Sequence, residues 1–476
     1  MQVLKFGGTS VGDAQAVAQV ATIVANQLAL DPDVIVVTSA MRGVTDLLIN
    51  AARRAADGDR QGPREARLAL ISRHHDAAEA LISDLDELSQ IQQDIDERVR
   101  EFERLCMAVS ILGELTSRGL AVIAGQGERL MAPIVAGALR ARGLRAQPVD
   151  AGELIITDDE YTEAVPQMEA TREATQARLQ ALLKQGICPV VTGFVAATAN
   201  GVPTILGRGG SDYSAAILGA AIDADEVQIW TDVNGVLTAD PHIVPEAQPL
   251  AELSYSEAAE LAYFGAKVLH PKTMLPLINR GIPISVRNTF NPAFSGTRIL
   301  PASAGGKVKA LTVIRGLTLV TVAGRGMLGV PGIAARTFAA VAAQGANILM
   351  ISQGSSEQSI CFVVPQPDAG RVETALQEAF AHELHHRLID RISCENDIVI
   401  VAIVGEGMRG TPGISGRIFG ALGEQDINVI AIAQGSSETN ISLVLGAADA
   451  DAAVRYLHSA FDLARHPAAS AAVSVL

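Results

Sequence analysis

The stretch Met1-Gln2-Val3-Leu4-Lys5-Phe6-Gly7-Gly8-Thr9-Ser10 is a short apolar run that stops at two glycines, the pattern of a strand entering a turn. Residues 14–28 follow with apolar side chains at helical spacing. Residues 33–38, Asp-Val-Ile-Val-Val-Thr, form an unbroken β-branched run typical of a strand covered on both faces. Strand, helix and strand in this order predict a βαβ unit and a parallel sheet. The alternation is expected to resume with strands at 143–149, 188–193, 226–231 and 283–287 and helices at 170–185, 211–221 and 256–264. Residues 47–112 are rich in Ala, Arg, Leu, Asp and Glu at helical spacing and read as a helical insertion. The expected fold class is α/β, with a three-layer αβα domain over 1–300 built on a mostly parallel sheet.

The remainder carries an internal repeat. Gly324-Arg-Gly-Met-Leu-Gly-Val-Pro-Gly-Ile matches Gly405-Glu-Gly-Met-Arg-Gly-Thr-Pro-Gly-Ile, and Gln353-Gly-Ser-Ser-Glu matches Gln434-Gly-Ser-Ser-Glu, both at an offset of 81 residues. Two matches at one offset mean duplication. Each copy reads strand, turn, helix, strand, strand, helix, a ferredoxin-like βαββα plan over 311–390 and 391–476, after a linker at 301–306.

Composition narrows the function. Hydrophobic residues at 49% and charged ones at 19% exclude a disordered chain. A net charge of −15 disfavours nucleic acid as a partner, because an acidic surface repels phosphate backbones. Cys106, Cys188, Cys361 and Cys394 form no CxxC pair and read as reduced thiols of a cytoplasmic protein. No apolar run approaches the length of a membrane span, and the first residues lack the apolar core of a signal peptide.

Two motifs are set aside. Gly324-x-Gly326-x-x-Gly329 and Gly405-x-Gly407-x-x-Gly410 have dinucleotide-fingerprint spacing. The strand that follows each leads to Gln353 or Gln434, not to an acidic residue able to hold a ribose. These glycines read as shaping a loop that presents backbone groups to a small ligand. His382-Glu383-Leu384-His385-His386 fits HExxH without an evident third ligand, so it reads as a solvated helix end and no metal site is expected.

Three clusters carry the chemistry, each at the C-terminal end of an expected strand, where open α/β sheets place ligands. In the first, Gly7 and Gly8 expose backbone amides beside Lys5, a combination that suits phosphate, although a plain βα turn has the same look. In the second, Gly207-Arg208-Gly209-Gly210-Ser211-Asp212, the glycines allow close approach and the guanidinium fork of Arg208 suits a carboxylate or phosphate; Ser211 or Asp212 is able to cap the helix that follows. In the third, Asp232 of Trp230-Thr231-Asp232-Val233-Asn234-Gly235 and the distant Lys267 of Phe264-Gly-Ala-Lys-Val-Leu-His-Pro271 are placed to surround a nucleotide, with an ordinary exposed lysine as the alternative for Lys267. There is no GxxxxGK[ST], HRD or DFG, so neither a P-loop nor a protein-kinase site is expected.

In this order and combination the blocks resemble those of aspartate kinases, members of the amino acid kinase family, and the paired repeat resembles their tandem ACT domains. The similarity runs over essentially the whole chain. It implies ATP- and Mg²⁺-dependent phosphorylation of the side-chain carboxylate of L-aspartate to 4-phospho-L-aspartate, the first step of lysine, threonine and methionine biosynthesis. It also implies residue roles. Lys5 would bridge the transferring phosphate, with Asp212 as the second catalytic residue; Gly7, Gly8, Gly209 and Gly210 would line the ATP phosphates. Ser39, Thr45, Glu128, Arg208 and Ser211 would hold the amino acid, with Glu128 on its ammonium and Arg208 on its α-carboxylate. Thr231, Asp232 and Lys267 would face the nucleotide. Leu237 and His242 depart from the family pattern, which commonly has tyrosine and arginine there, both on the nucleotide.

The chemistry agrees with that pattern. An aspartate side chain, with a reference pKa of about 3.9, is already ionised at neutral pH. It needs no general base, only relief from repulsion by the triphosphate, which cations and backbone amides supply. Asn347, Gln353, Asn428 and Gln434 sit at matching places of the two repeats and are the expected effector residues, with threonine the expected inhibitor and lysine the second choice. A homodimer through the repeats, or a tetramer, is expected; repeats that serve only dimerisation are the bland alternative. The chain stops soon after the second repeat, which reads as leaving no room for a fused dehydrogenase. Other functional readings are a kinase for a different small carboxylate such as glutamate, and an amino-acid sensor that transfers nothing.

Overall fold

The structure, a computed structural model, describes residues 1–265, 269–303, 306–354 and 358–465. The chain divides into two units, the first comprising Met1–Val236, Ala251–Ala259 and 269–303. Among the described residues its main sheet has eight strands, in the order Ala146–Val149, Cys188–Thr192, Val34–Thr38, Gln2–Phe6, Glu226–Thr231, Ile284–Asn288, Thr297–Leu300, Glu252–Ser254. The first six run parallel, and Thr297–Leu300 is antiparallel to Ile284–Asn288. Val34–Thr38 and Cys188–Thr192 are buried at every residue, as β-branched runs covered on both faces must be. Gln2–Phe6 lies in the middle, with Phe6 opposite Trp230 and Trp230 opposite Arg287. The Phe6 and Trp230 rings stack at 6.0 Å, and the Arg287 guanidinium lies 4.7 Å from the indole. This row of large side chains pins the register of three strands just below their C-terminal tips.

The helical insertion consists of Val44–Ala56, Gln61–Leu81 and Leu85–Leu112. On the longest helix Ile91, Ile95, Val99, Phe102, Cys106 and Val109 recur every three or four residues and are buried, so the apolar stripe seen in the sequence is the packed face. Asp84 accepts from the amides of Asp86 and Glu87 at its start, and Gly113, at φ 67°, ends it. The remaining expected helices are Ala14–Leu30, Met168–Leu183, Gly210–Ala221 and Tyr255–Tyr263, shifted by one to a few residues at their ends. No helix among the described residues is long and apolar enough to cross a membrane.

The second unit holds Leu237–Leu250, 260–265 and 306–465. Its six-stranded sheet has the order Met350–Gln353, Ser359–Pro365, Ala310–Ala323, Arg391–Val404, Asn440–Gly446, Ala431–Gln434, with helices Ile333–Ala343, Ala369–Ala379, Ile414–Gly423 and Ala450–Ala460 completing two βαββα copies. Ala310–Ala323 and Arg391–Val404 pair antiparallel from end to end. Each copy completes the other's core. Leu311, at the start of the first copy, packs with Val399, Ile418 and Leu457, whereas Ile392, at the start of the second, packs with Val320, Val341 and Phe362. Segment 237–250, expected in the first domain, is part of this unit because Ala239 and Val244 are buried in the second copy's core. The expected linker at 301–306 falls partly outside the described residues. The HExxH stretch lies around the short helix Ala381–His385, where Glu383 pairs with Arg336, and no cluster among the described residues is suited to a metal ion.

The insertion behaves as core, not as decoration. Phe102→Ala is expected to destabilise the first unit by about 3–5 kcal/mol, the usual result of truncating a fully buried phenylalanine, read as a lower calorimetric unfolding midpoint for that unit.

Candidate active site

A cavity of about 330 Å³ opens at the tips of Gln2–Phe6 and Val34–Thr38. Lys5 lies in it, 7% exposed, with its ammonium 2.6 Å from Asp212. Asp212 is in the first turn of Gly210–Ala221. That helix starts from Gly209, at φ 69°, and no side chain caps it. The capping expected of Ser211 or Asp212 is therefore absent: Asp212 turns to Lys5 and Ser211 lines the cavity. Gly210 must be glycine, because a Cβ there would stand 2.5 Å from the Phe194 ring. Phe194 itself has φ 65°, an uncommon conformation for a bulky residue. Its amide donates to Ser214 Oγ at 2.9 Å, and that hydroxyl donates to the Gly210 carbonyl at 2.9 Å. A strained residue fixed by its neighbours at a cavity wall is the arrangement functional sites favour.

Glu128 comes from the first turn of Gln126–Arg140 and is 3% exposed. The Ala40 amide donates to its Oε1 at 3.1 Å, and its Oε2 is buried with no partner. Burial pushes its pKa up to about 7, against the opposing pull of the Ala40 amide, Arg129 and Lys5. An unsatisfied buried carboxyl oxygen facing a cavity calls for a donor, and a cationic donor would return the group to its ionised form.

Of the other expected residues, Gly8, Ser39, Thr45 and Gly209 also line this cavity. Gly7 does not, and its amide donates to the Trp230 carbonyl at 3.1 Å. Arg208 is exposed, and its side chain is not part of the lining, although Gly207 and Gly209 on either side are. Thr231 and Asp232 lie outside the cavity at the tip of Glu226–Thr231, with the Thr231 hydroxyl donating to Asp232 Oδ1 at 3.2 Å. Lys267 lies outside the described residues. The sequence reading missed Phe194, Arg42 and Asp46, all cavity-lining. Arg42 and Asp46 flank Thr45 in the same short stretch, which was the available signal. The carbonyl of Arg42 accepts from Arg73 of the helical insertion at 2.8 Å.

In the first repeat a second cavity, of about 290 Å³, is lined by Met327, Val330, Pro331, Ile333, Gln353 and Ile360 with Gly329, Gly332 and Ala334. Gln353, one of the expected effector residues, is among this lining. Asn347, Asn428 and Gln434 are exposed and do not line it. None of its described lining residues is charged.

The chain belongs to the amino acid kinase family, which matches residues 1–288; the ACT domain matches residues 320–380 and 401–461. Its similar proteins are aspartokinases. The bifunctional aspartokinase/homoserine dehydrogenase 1 of Arabidopsis thaliana chloroplasts is 38% identical over 97% of this chain and 51% of its own length, so the chain spans about half of that protein. Lysine-sensitive aspartokinase 3 of Escherichia coli is 32% identical over 96% of this chain and 98% of its own. The crystal structure of E. coli aspartokinase III with aspartate and ADP superposes with a TM-score of 0.80 at 30% identity, covering 97% of this chain and all (100%) of that one.

The state of Glu128 is directly measurable. With a pKa near 7 it is protonated below neutrality and ionised above. Carbon-13 NMR of the glutamate-labelled protein is expected to show one carboxyl titrating near pH 7, well above the others, that Glu128→Gln removes.

Proposed function

We propose that the chain transfers the terminal phosphoryl group of ATP to the side-chain carboxylate of L-aspartate, giving 4-phospho-L-aspartate and ADP. The observation that carries this reading is the buried Lys5–Asp212 pair in one cavity with the unpartnered Oε2 of Glu128. A zwitterion with a second carboxylate suits that cavity. Its ammonium pairs with Glu128, and its side-chain carboxylate, ionised at neutral pH, is directed to Lys5. Ser39, Thr45 and Ser211 supply hydroxyls around it. Arg208, exposed at the rim, is assigned the α-carboxylate.

The uncapped start of Gly210–Ala221 leaves backbone amides and the positive end of a helix dipole for phosphate, with Gly8 and Gly209 alongside. Lys5 is shared between Asp212 and the approaching phosphoryl group, offsetting charge as two anions meet. Thr231 and Asp232, on the side of Lys5 away from Val34–Thr38, are assigned to the nucleotide. Mg²⁺ would arrive on the ATP phosphates and neutralise the group in transfer. The resemblance to an aspartokinase solved with aspartate and ADP supports both substrates.

The cavity of the first repeat is assigned to threonine as a feedback inhibitor. Among the described residues its lining carries no charge to meet the side-chain ammonium of lysine, the ligand of a similar E. coli enzyme, whereas Gln353 is able to hydrogen-bond a hydroxyl. Ile351 and Ile432, exposed at equivalent places on the two outer strands, favour association of two chains through the repeats.

With ATP, Mg²⁺ and hydroxylamine, aspartate is expected to yield aspartyl hydroxamate, and Lys5→Ala to lower the rate by about 10²–10³-fold, in the range for losing a preorganised charge contact. An equal signal from glutamate would overturn the substrate assignment. Threonine at millimolar level is expected to inhibit and to raise the melting temperature of the second unit, with Gln353→Ala weakening both effects. Inhibition by lysine alone would reverse the effector assignment.

A further inference from the structure

The charged residues that line the cavity at the strand tips are two cations, Lys5 and Arg42, and three anions, Asp46, Glu128 and Asp212. Lys5 is paired with Asp212. On the kinase reading Glu128 takes the ammonium of the substrate and Lys5 its side-chain carboxylate. Arg42 and Asp46 are then left over. Among the described residues neither of these two side chains has a hydrogen bond or an ion pair. Aspartate likewise has one group left over, its α-carboxylate, and of the two residues only the cation is able to receive it.

The turn that carries Arg42 is fixed at its backbone and uncommitted at this side chain. The Ser39 amide donates to the Phe6 carbonyl at 3.1 Å, and the Ala40 amide donates to Glu128 Oε1 at 3.1 Å. Met41 and Val44 are buried. The Val44 amide donates to the Met41 carbonyl at 2.9 Å, and Gly43, at φ 77°, supplies the left-handed residue that this turn requires. The Arg42 carbonyl accepts from Arg73 Nη2 at 2.8 Å. Two glycines let the turn come close. A Cβ on Gly127 would stand 2.6 Å from Ala40 Cβ, and one on Gly8 would stand 3.6 Å from Arg42 Cα. The origin of the long side chain is thereby set, while its guanidinium keeps all its donors.

The chemistry then selects the group that Arg42 meets. Glu128 is tied to this turn through the Ala40 amide, two residues before Arg42. An ammonium on Glu128 therefore sits beside the turn. The α-carboxylate hangs from the same carbon as that ammonium, so it stays within reach of the turn while the side-chain carboxylate is at Lys5. A guanidinium offers two parallel N–H donors, the geometry a carboxylate accepts best. Arg208 is exposed and outside the lining, so it approaches the same group only from the rim.

We propose that Arg42 is a substrate-binding residue that pairs with the α-carboxylate of the amino acid, sharing it with Arg208, and that it makes the site selective for amino acids whose α-carboxylate is free. The proposal deepens the kinase reading given above and rests on it.

The test uses Arg42→Met and Arg42→Lys in the full chain with two ligands, L-aspartate and its α-amide. The α-amide keeps the ammonium and the side-chain carboxylate but has no α-carboxylate. Arg42 is exposed, so neither variant empties a packed position. In the hydroxamate assay Arg42→Met is expected to raise the KM for aspartate about tenfold, the low end for losing a hydrogen bond to a charged group, and to leave the KM for ATP within about twofold. Calorimetric titration is expected to show the same loss of about tenfold for aspartate, and a change below about twofold for the α-amide, which the parent binds more weakly. Arg42→Lys, which keeps the charge and loses the fork, should recover part of the affinity for aspartate. A residue that merely shaped the turn would weaken both ligands equally; that result, or an unchanged affinity for aspartate in Arg42→Met, would overturn the proposal. A rise in the KM for ATP alone would assign Arg42 to the phosphates and overturn it as well. If the parent chain forms no hydroxamate, the kinase reading fails, and the titration still decides whether Arg42 reads the α-carboxylate. A parent chain that binds no aspartate at all would overturn both.

Discussion

Two opposite charges, Lys5 and Asp212, meet 2.6 Å apart at 9% and 17% side-chain exposure, and the geometry of the first unit's site follows from the need to keep them together. Either one left alone in that setting would cost several kcal/mol. The pair ties the central strand to the first turn of Gly210–Ala221, so that turn must come close. Close approach in turn demands Gly209 in a left-handed conformation and Gly210 without a Cβ, and it forces Phe194 into a conformation that few bulky residues adopt. The helix start remains uncapped because its carboxylate is used on Lys5. The structural pair and the proposed phosphate site thus use the same residues.

Glu128 shows how the cavity is tuned. A carboxyl in the first turn of a helix is ordinarily favoured as the anion by the helix dipole. Here burial outweighs the dipole, the Ala40 amide and two nearby cations, and brings the pKa to about 7. On the proposed reading an incoming ammonium would return the group to its ionised form. A zwitterion is favoured on the same reading, since a plain dicarboxylate would leave the same buried oxygen unpaired.

Sequence patterns that repeat at short range were legible. The β-branched runs became the buried central strands, the apolar stripe of Leu85–Leu112 became its packed face, and the offset of 81 residues became two βαββα copies in one sheet. The features that were not legible depend on where remote parts of the chain meet. The conformation of Phe194 contradicts its own local preference and is imposed by Ser214 and Gly210. The amide of Gly7 looks free in the sequence and is taken by Trp230, more than two hundred residues away. Arg208 carries the right chemistry for a carboxylate clamp, yet its neighbours, not its side chain, form the wall.

The duplication raises a further point about independence. Equal repeats suggest equal modules, each with a core of its own. The cores instead exchange strand ends: Leu311 serves the second copy, Ile392 the first. A repeat freed from its partner would expose those apolar positions and lose the ladder between Ala310–Ala323 and Arg391–Val404. Neither copy can then change shape without disturbing the other's core, since close-packed interiors transmit displacement instead of absorbing it. The 237–250 segment, anchored by Ala239 and Val244 in one of those cores, is subject to the same constraint. A ligand that repacked the first copy would thereby act on the second copy's core and on that segment through contiguous packing, with no need for a separate transmitting element.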